Sequence, residues 1–380
     1  MQTSTAAGMA LALLALGACG GSEAPEGGEE TTDRRPDTLQ LAPDDSIGVL
    51  MGDSNYVFGT IGEAVLTTDG DIAVLDETGA CVKVYDREGS FLRRIGRRGS
   101  GPGELLVPGG LAVLSDGSFA VMDARRGGVH RFLADGTYDS LYIDFEGDGA
   151  PQWAWGVDSM AFVANYLDDE MGEGSIEMVS MVARWRDHRE PEVVYWEHRF
   201  PYRPEDMGSF LDNALFSSAF TAGRDGRVYV APISTSEYRI NVYGPEGDSL
   251  GVITRDMPRV RKTPEEMEEE RRLITDILRE RGVREEMNRY EPDPYRWLIQ
   301  PQGLGVDGLG RLWVLNGAAE ETVMDVYSPQ GEHVAVVRLE GILEADGGMG
   351  IVKVQADAIL AWSLQAADYP KLYVYGLPEL

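Results

Sequence analysis

Cysteine is nearly absent: Cys19 and Cys81 are the two in 380 residues. If Cys19 is used otherwise, no intramolecular disulfide remains, which excludes a disulfide-stapled fold. Cys81 then opens a strand and reads as a buried, inert thiol. Histidine is almost as scarce. His130, His188, His198 and His333 have no spacing that suggests a shared metal. Basic charge is short, 34 Lys and Arg against 64 Asp and Glu, for a net −30. That surface repels phosphate backbones and anionic headgroups, which argues against a nucleic-acid partner. The apolar run Met9 to Leu16 is too short to cross a bilayer. The Gly-rich string Gly96 to Glu104 lacks a Gly-Lys-Ser/Thr ending and leads into a strand rather than a helix, so it is no nucleotide loop. No Ser-His-Asp arrangement stands out.

A repeat, by contrast, is plainly written. Asp69-Gly70 recurs as Asp116-Gly117, 47 residues on, Val74-Leu75-Asp76 recurs as Val121-Met122-Asp123, and Gly89 recurs as Gly136. Short β-branched and aromatic runs entered by such glycine turns are hairpins. A unit of this size cannot bury its own apolar face and packs against copies of itself. Further copies start at Gly226 and Gly310, and a divergent one fills Pro151 to Phe200. A sixth, begun near Gly350, has three strand candidates, with Ile47 to Met51 free to supply a fourth. The expected fold is therefore all-β, a six-bladed β-propeller closed by an N-terminal strand; five or seven blades stay open because the third unit is irregular. Closure removes sheet edges that otherwise invite aggregation.

The copies at Gly226 and Gly310 are spread apart by a charged segment, Pro258 to Pro294. Thr263-Pro264-Glu265-Glu266 is a capping box with proline in the first turn. Met267, Ile274, Ile277 and Leu278 make one apolar stripe, and Gly282 can end the helix. One helical insertion, 258–296, is thus expected between blades four and five, as a lid, a docking helix or a helix packed on the rim. Residues 1–18 carry no charge, although an n-region lacking Lys and Arg is unusual. Gly20 to Asp45 is polar and reads as a solvated tether, 19–45, ahead of a propeller domain, 46–380.

Two resemblances add to this reading. Leu16-Gly17-Ala18-Cys19 resembles the lipobox of bacterial lipoproteins, which implies a signal peptide and a lipid anchor at Cys19. By the same resemblance Gly20 favours the outer membrane, on its periplasmic side. Gly96 to Gly103 with Pro108, then a strand, an Asp-Gly turn and a strand ending in Asp, is similar to the NHL repeat. Over Ile61 to Tyr142 the chain resembles six-bladed NHL-type propeller lipoproteins. That family implies ligand binding or scaffolding more than catalysis, so the protein is expected to be a membrane-anchored, non-catalytic binder rather than an enzyme.

Strand order sorts the loops onto two faces. The Asp-Gly turns share one, read as structural. The other collects Arg97, Arg98, Arg125, Arg126, Asn165, Tyr166, Asp168, Asp169, Glu237 and Asn316, the expected binding face for a small molecule, peptide or envelope protein. Asp76 and Asp123 are expected to bond their own turns. No catalytic or metal-binding residue and no cofactor is expected, with a divalent cation in the central channel left open. A metal-dependent hydrolase or lyase at that channel is the alternative, and a structural subunit of an envelope complex is another.

Overall fold

Glycine at one position of each hairpin starts the fold. Gly70, Gly117, Gly226 and Gly310 carry φ between +78° and +89°, a region that side chains bearing a Cβ enter only with strain. Each closes the turn between the first two strands of a repeat. Gly70 N donates to Thr67 O at 3.1 Å, and Gly310 N donates to Asp307 O at 3.0 Å. In the computed structural model the described residues are 37–146, 149–171, 175–280, 282–341, 350–363 and 368–380. They fall within one unit, Pro36–Leu380. The leader and Cys19 lie outside the described residues.

Four antiparallel four-stranded sheets follow in chain order. The first holds Ile61–Leu66, Ile72–Asp76, Cys81–Tyr85 and Phe91–Ile95. The second starts at Pro108–Val113, the third at Gln152–Gly156 and the fourth at Ser218–Ala222. In the first sheet the two innermost strands are buried at every residue, whereas Phe91–Ile95 alternates between covered and open positions. Inner strands pack on both faces between neighbouring sheets, so their sequences run continuously apolar instead of alternating. Each Val or Leu so buried stabilises the ring by about 1.5–3 kcal/mol. In the third sheet Phe162–Met171 and Ile176–Trp185 pair along their whole lengths as one long hairpin.

The fifth and sixth repeats do not form separate blades. They share one curled nine-stranded sheet, joined where Ile299–Asp307 runs parallel to Gly350–Ala356 through Val306↔Gln355 and Asp307↔Ala356. Two glycines permit that contact. A Cβ on Gly305 would lie 2.8 Å from the Val354 backbone N and O, and one on Gly308 would lie 2.9 Å from Ala356 O. The N-terminal segment supplies two strands instead of one. Asp37–Leu41 pairs parallel with His333–Leu339, and Asp45–Ile47 pairs antiparallel with Leu372–Gly376, so the N-terminal segment forms both edge strands of the large sheet. The first of these lies in the stretch expected to be tether.

The expected six-bladed, all-β ring is therefore corrected to a propeller-like arrangement of four blades plus a curled nine-stranded sheet, carrying helices as well. Helix α1, Met207–Leu215, which the sequence reading missed, lies in the crossing from third to fourth sheet. Helix α2, Pro264–Glu280, sits inside the expected insertion. Its capping box forms as read, with Thr263 N donating to Glu266 Oε2 at 2.6 Å and Glu266 N to Thr263 Oγ1 at 3.2 Å. The apolar stripe of α2 is not free: Ile274 and Leu278 are buried with Leu211 and Phe216 of the α1 region and with Tyr290.

Candidate functional site

Innermost strands of all the sheets contact one another in ring order, which places them around a common axis. Two of these apolar strands carry a charge in mid-run. Glu63 interrupts Ile61–Leu66, and Lys353 interrupts Gly350–Ala356. The two meet at 3.0 Å with side chains only 2% and 5% exposed. Lys353 Nζ also donates to Ala154 O at 3.2 Å and sits 4.2 Å from the centre of the Trp155 ring. One ammonium thus ties three innermost strands together across the axis.

Burial pushes the Glu63 carboxyl above the usual carboxylate range, with the Lys353 charge pulling part of the way back. Burial likewise pulls the Lys353 ammonium down, against the opposing effect of Glu63. Both shifts follow from removing charge from water. Glu63 Oε2 is buried with no hydrogen-bond partner. An unused carboxylate oxygen in a dry, cationic setting is a proton acceptor in waiting.

Ala154 and Trp155 also wall an axial cavity of about 410 Å³. It opens at the exit ends of the innermost strands, among Val65, Val113, Val306 and Gln355. Gln355 Oε1 accepts from Leu66 N at 2.7 Å and so closes the ring between the large sheet and the first blade. Beyond the mouth lies a wider basin of about 780 Å³, which shares Thr67, Thr68 and Arg224 with the cavity. Both hollows lie on the face of the Asp-Gly turns, which the sequence reading took as structural. The volume of the inner one suits a small molecule.

The residues singled out from sequence are distributed over the opposite face. Arg97 pairs with Glu104 at 2.8 Å, Arg98 donates to Leu106 O and Thr78 O, and Arg126 donates to Gly101 O and Glu104 O. These three are brought together around the Gly101–Glu104 turn, with Arg125 N donating to Asp123. Asn165 is buried against Ser180 and Met181, and Tyr166 packs on Phe145 and Trp185. Asp168 and Asp169 extend along the same strand toward its exposed end. Glu237 meets Arg239, and Asn316 donates to Asp325. Asp76 and Asp123 do bond their own turns, accepting from Gly79 N and from Arg125 N and Arg126 N. Asp76 further holds Lys83 at 3.0 Å, and Lys83 staples the Ser54 and Val57 carbonyls.

A metal does not fit the axis. Among the described residues no group of three or more His, Cys, Asp and Glu could hold one. Glu63 is already neutralised by an ammonium that would repel a cation. The histidines stay apart. His130 is buried with neither ring nitrogen bonded, His198 meets Asn213, and His333 meets Asp325.

Sequence reasoning missed Glu63 and Lys353 because it searched loops. The available signal was a lone charge inside an otherwise apolar strand, as in Ile61–Leu66, which can be buried only with a partner.

Residues 53–140 match a family model described as "DUF5128: 6-bladed beta-propeller". No curated protein matches the chain. Similar solved structures include virginiamycin B lyase from Staphylococcus aureus, with 11% identity, 86% of this chain and 82% of that one covered, and a TM-score of 0.42. A gluconolactonase from Xanthomonas campestris gives 14%, 91%, 99% and 0.43, and the RRP9 WD40 repeats give 12%, 90%, 100% and 0.47. Likeness at this level assigns no reaction. The matched family is not the NHL repeat, and with four separate blades the resemblance to six-bladed NHL-type lipoproteins is corrected. Lyases and a gluconolactonase stand among the similar structures beside the WD40 repeats, so the comparisons lend no support to the expectation of a non-catalytic protein.

Proposed function

We propose that the protein is a hydrolase or lyase acting on a small molecule in the axial cavity, without a metal in its site. The observation that carries this is Glu63 Oε2, buried and without a partner beside Lys353, directly behind the cavity wall at Trp155. Glu63 takes a proton from the substrate, or from the water that attacks it. Lys353 holds the carboxylate in place and stabilises negative charge developing on the substrate. Reaction there requires the Trp155 side chain to turn aside, a motion of the kind that gates many sites. Purified protein is tested against a panel of lactones, esters and β-substituted carboxylic acids. Turnover of at least one, reduced 100-fold or more (about 10²–10⁴ is usual for a general base) in Glu63→Gln with the circular dichroism unchanged, is the expected result. Undiminished turnover in that variant, or none with the unsubstituted protein, counts against the proposal.

On sequence grounds alone, an envelope location through Cys19 and a partner surface around Arg97, Arg125, Asp169 and Glu237 go with it. Fractionation of a Cys19→Ser variant tests the first, and alanine substitution on that face, read by co-purification, tests the second.

A further inference from the structure

The turns that precede Gly70, Gly117 and Gly226 each put one residue at the cavity mouth: Thr68, Ser115 and Arg224, in the first, second and fourth sheets. All three are exposed. Arg224 has no ion pair or hydrogen bond among the described residues, and the Thr68 and Ser115 hydroxyls have no hydrogen bond. Acidic groups beside them are otherwise engaged. Asp116 is held by Arg131 and Ser118, Asp225 by Arg227, and Asp307 by Arg311 and the Trp313 indole. Asp69 and Glu379 line the outer basin and not the cavity. In a protein of net charge −30, the one unpaired charge among the described residues lining the axial cavity is therefore positive. Below this collar Val65, Val113, Ala154, Trp155 and Val306 give the wall an apolar part, beside the polar Thr67, Asp307 and Gln355.

We infer that Thr68, Ser115 and Arg224 form an anion-binding collar, and that the cavity takes a carboxylate-bearing small molecule with its apolar body directed inward. A guanidinium, which only donates, and two hydroxyls, each able to donate, match the needs of an anion, and the charge-assisted bonds from the guanidinium are the strong ones. The inference rests on the axial cavity being the site proposed above, and it names the substrate class.

Calorimetric titration of the full chain with octanoate, and with octanol as the uncharged control, tests it. Octanoate is expected to bind saturably in the millimolar range or tighter. Arg224→Gln should weaken it about tenfold or more, with octanol unchanged, and Thr68→Val should weaken it by a smaller factor. Absence of octanoate binding, equal affinity in Arg224→Gln, or octanol binding as well as octanoate would overturn the collar. Glu63→Gln separates the two ideas, because it should leave octanoate affinity within about threefold while cutting turnover about 100-fold or more. Intact binding with no turnover in any protein sinks the catalytic proposal and leaves the collar standing.

Discussion

Replacing Lys353 with methionine removes the charge from the axis while keeping most of the side-chain volume. The variant leaves Glu63 buried beside its unused Oε2 and strips Ala154 O of its donor. Breaking a buried pair from one side typically destabilises by about 3–5 kcal/mol, because an uncompensated charge is left in low dielectric. A carboxyl whose affinity for protons is already raised by burial binds a proton more readily still once the ammonium is gone, which trims the loss toward the lower figure. Removing both partners, in Glu63→Leu with Lys353→Met, leaves an apolar axis between Trp155 and its neighbours, and such replacements are often neutral. Urea denaturation followed by circular dichroism at pH 7 gives the cycle. The expected outcome is a single-variant loss of about 3 kcal/mol or more, most of it recovered in the double variant. Additivity within about 0.5 kcal/mol would refute the reasoning, since it means that the two side chains do not sense each other.

Two further outcomes follow from features away from the axis. Asp212 on α1 faces Glu270, Tyr290, Lys262 and Asp293, and burial together with the Glu270 charge pushes its carboxyl up to about 6. A group raised in the folded state gives its stability in full below its unfolded pKa and loses it as pH rises through the folded one. Stability should thus fall by about 3 kcal/mol between about pH 4 and 6 on this account. Asp212→Asn should flatten that slope and be the more stable protein at pH 7, and an unchanged slope in urea titrations excludes the assignment. Gly305→Ala places a Cβ 2.7 Å from that of Val354 and should lower stability by about 1–3 kcal/mol in thermal denaturation. A neutral result there would mean that the two strands separate easily.

Local chemistry made much of the chain readable. Turn glycines with positive φ, the Thr263–Glu266 box and the Asp76 and Asp123 turn bonds all act within a few residues, and each stands where its sequence pattern put it. Fusion of the last two repeats depends on Gly305 meeting Val354, a contact with no local signature. The same holds for Glu63 and Lys353, which lie near opposite ends of the chain and look like isolated irregularities until the ring brings them together. Helix α1 carries its cap, Asp206 accepting from Ser209 N at 3.2 Å, but its short run lacks the periodic stripe that identified α2. The collar was passed over because turn residues were judged by backbone geometry, and what matters at Thr68, Ser115 and Arg224 is the direction in which the turns face.

The two N-terminal strands give the molecule a timing constraint. Ile47 finds its pairing partner, Leu372, only after nearly all of the intervening polypeptide has been made. During synthesis on a ribosome the blades can assemble one after another, while Asp45–Ile47 waits as an unmatched ribbon for the last hairpin to emerge. Closure is then the last event in assembly, because it joins points nearly the whole chain apart. A nascent chain stalled just short of residue 372 would hold that ribbon open to chaperones.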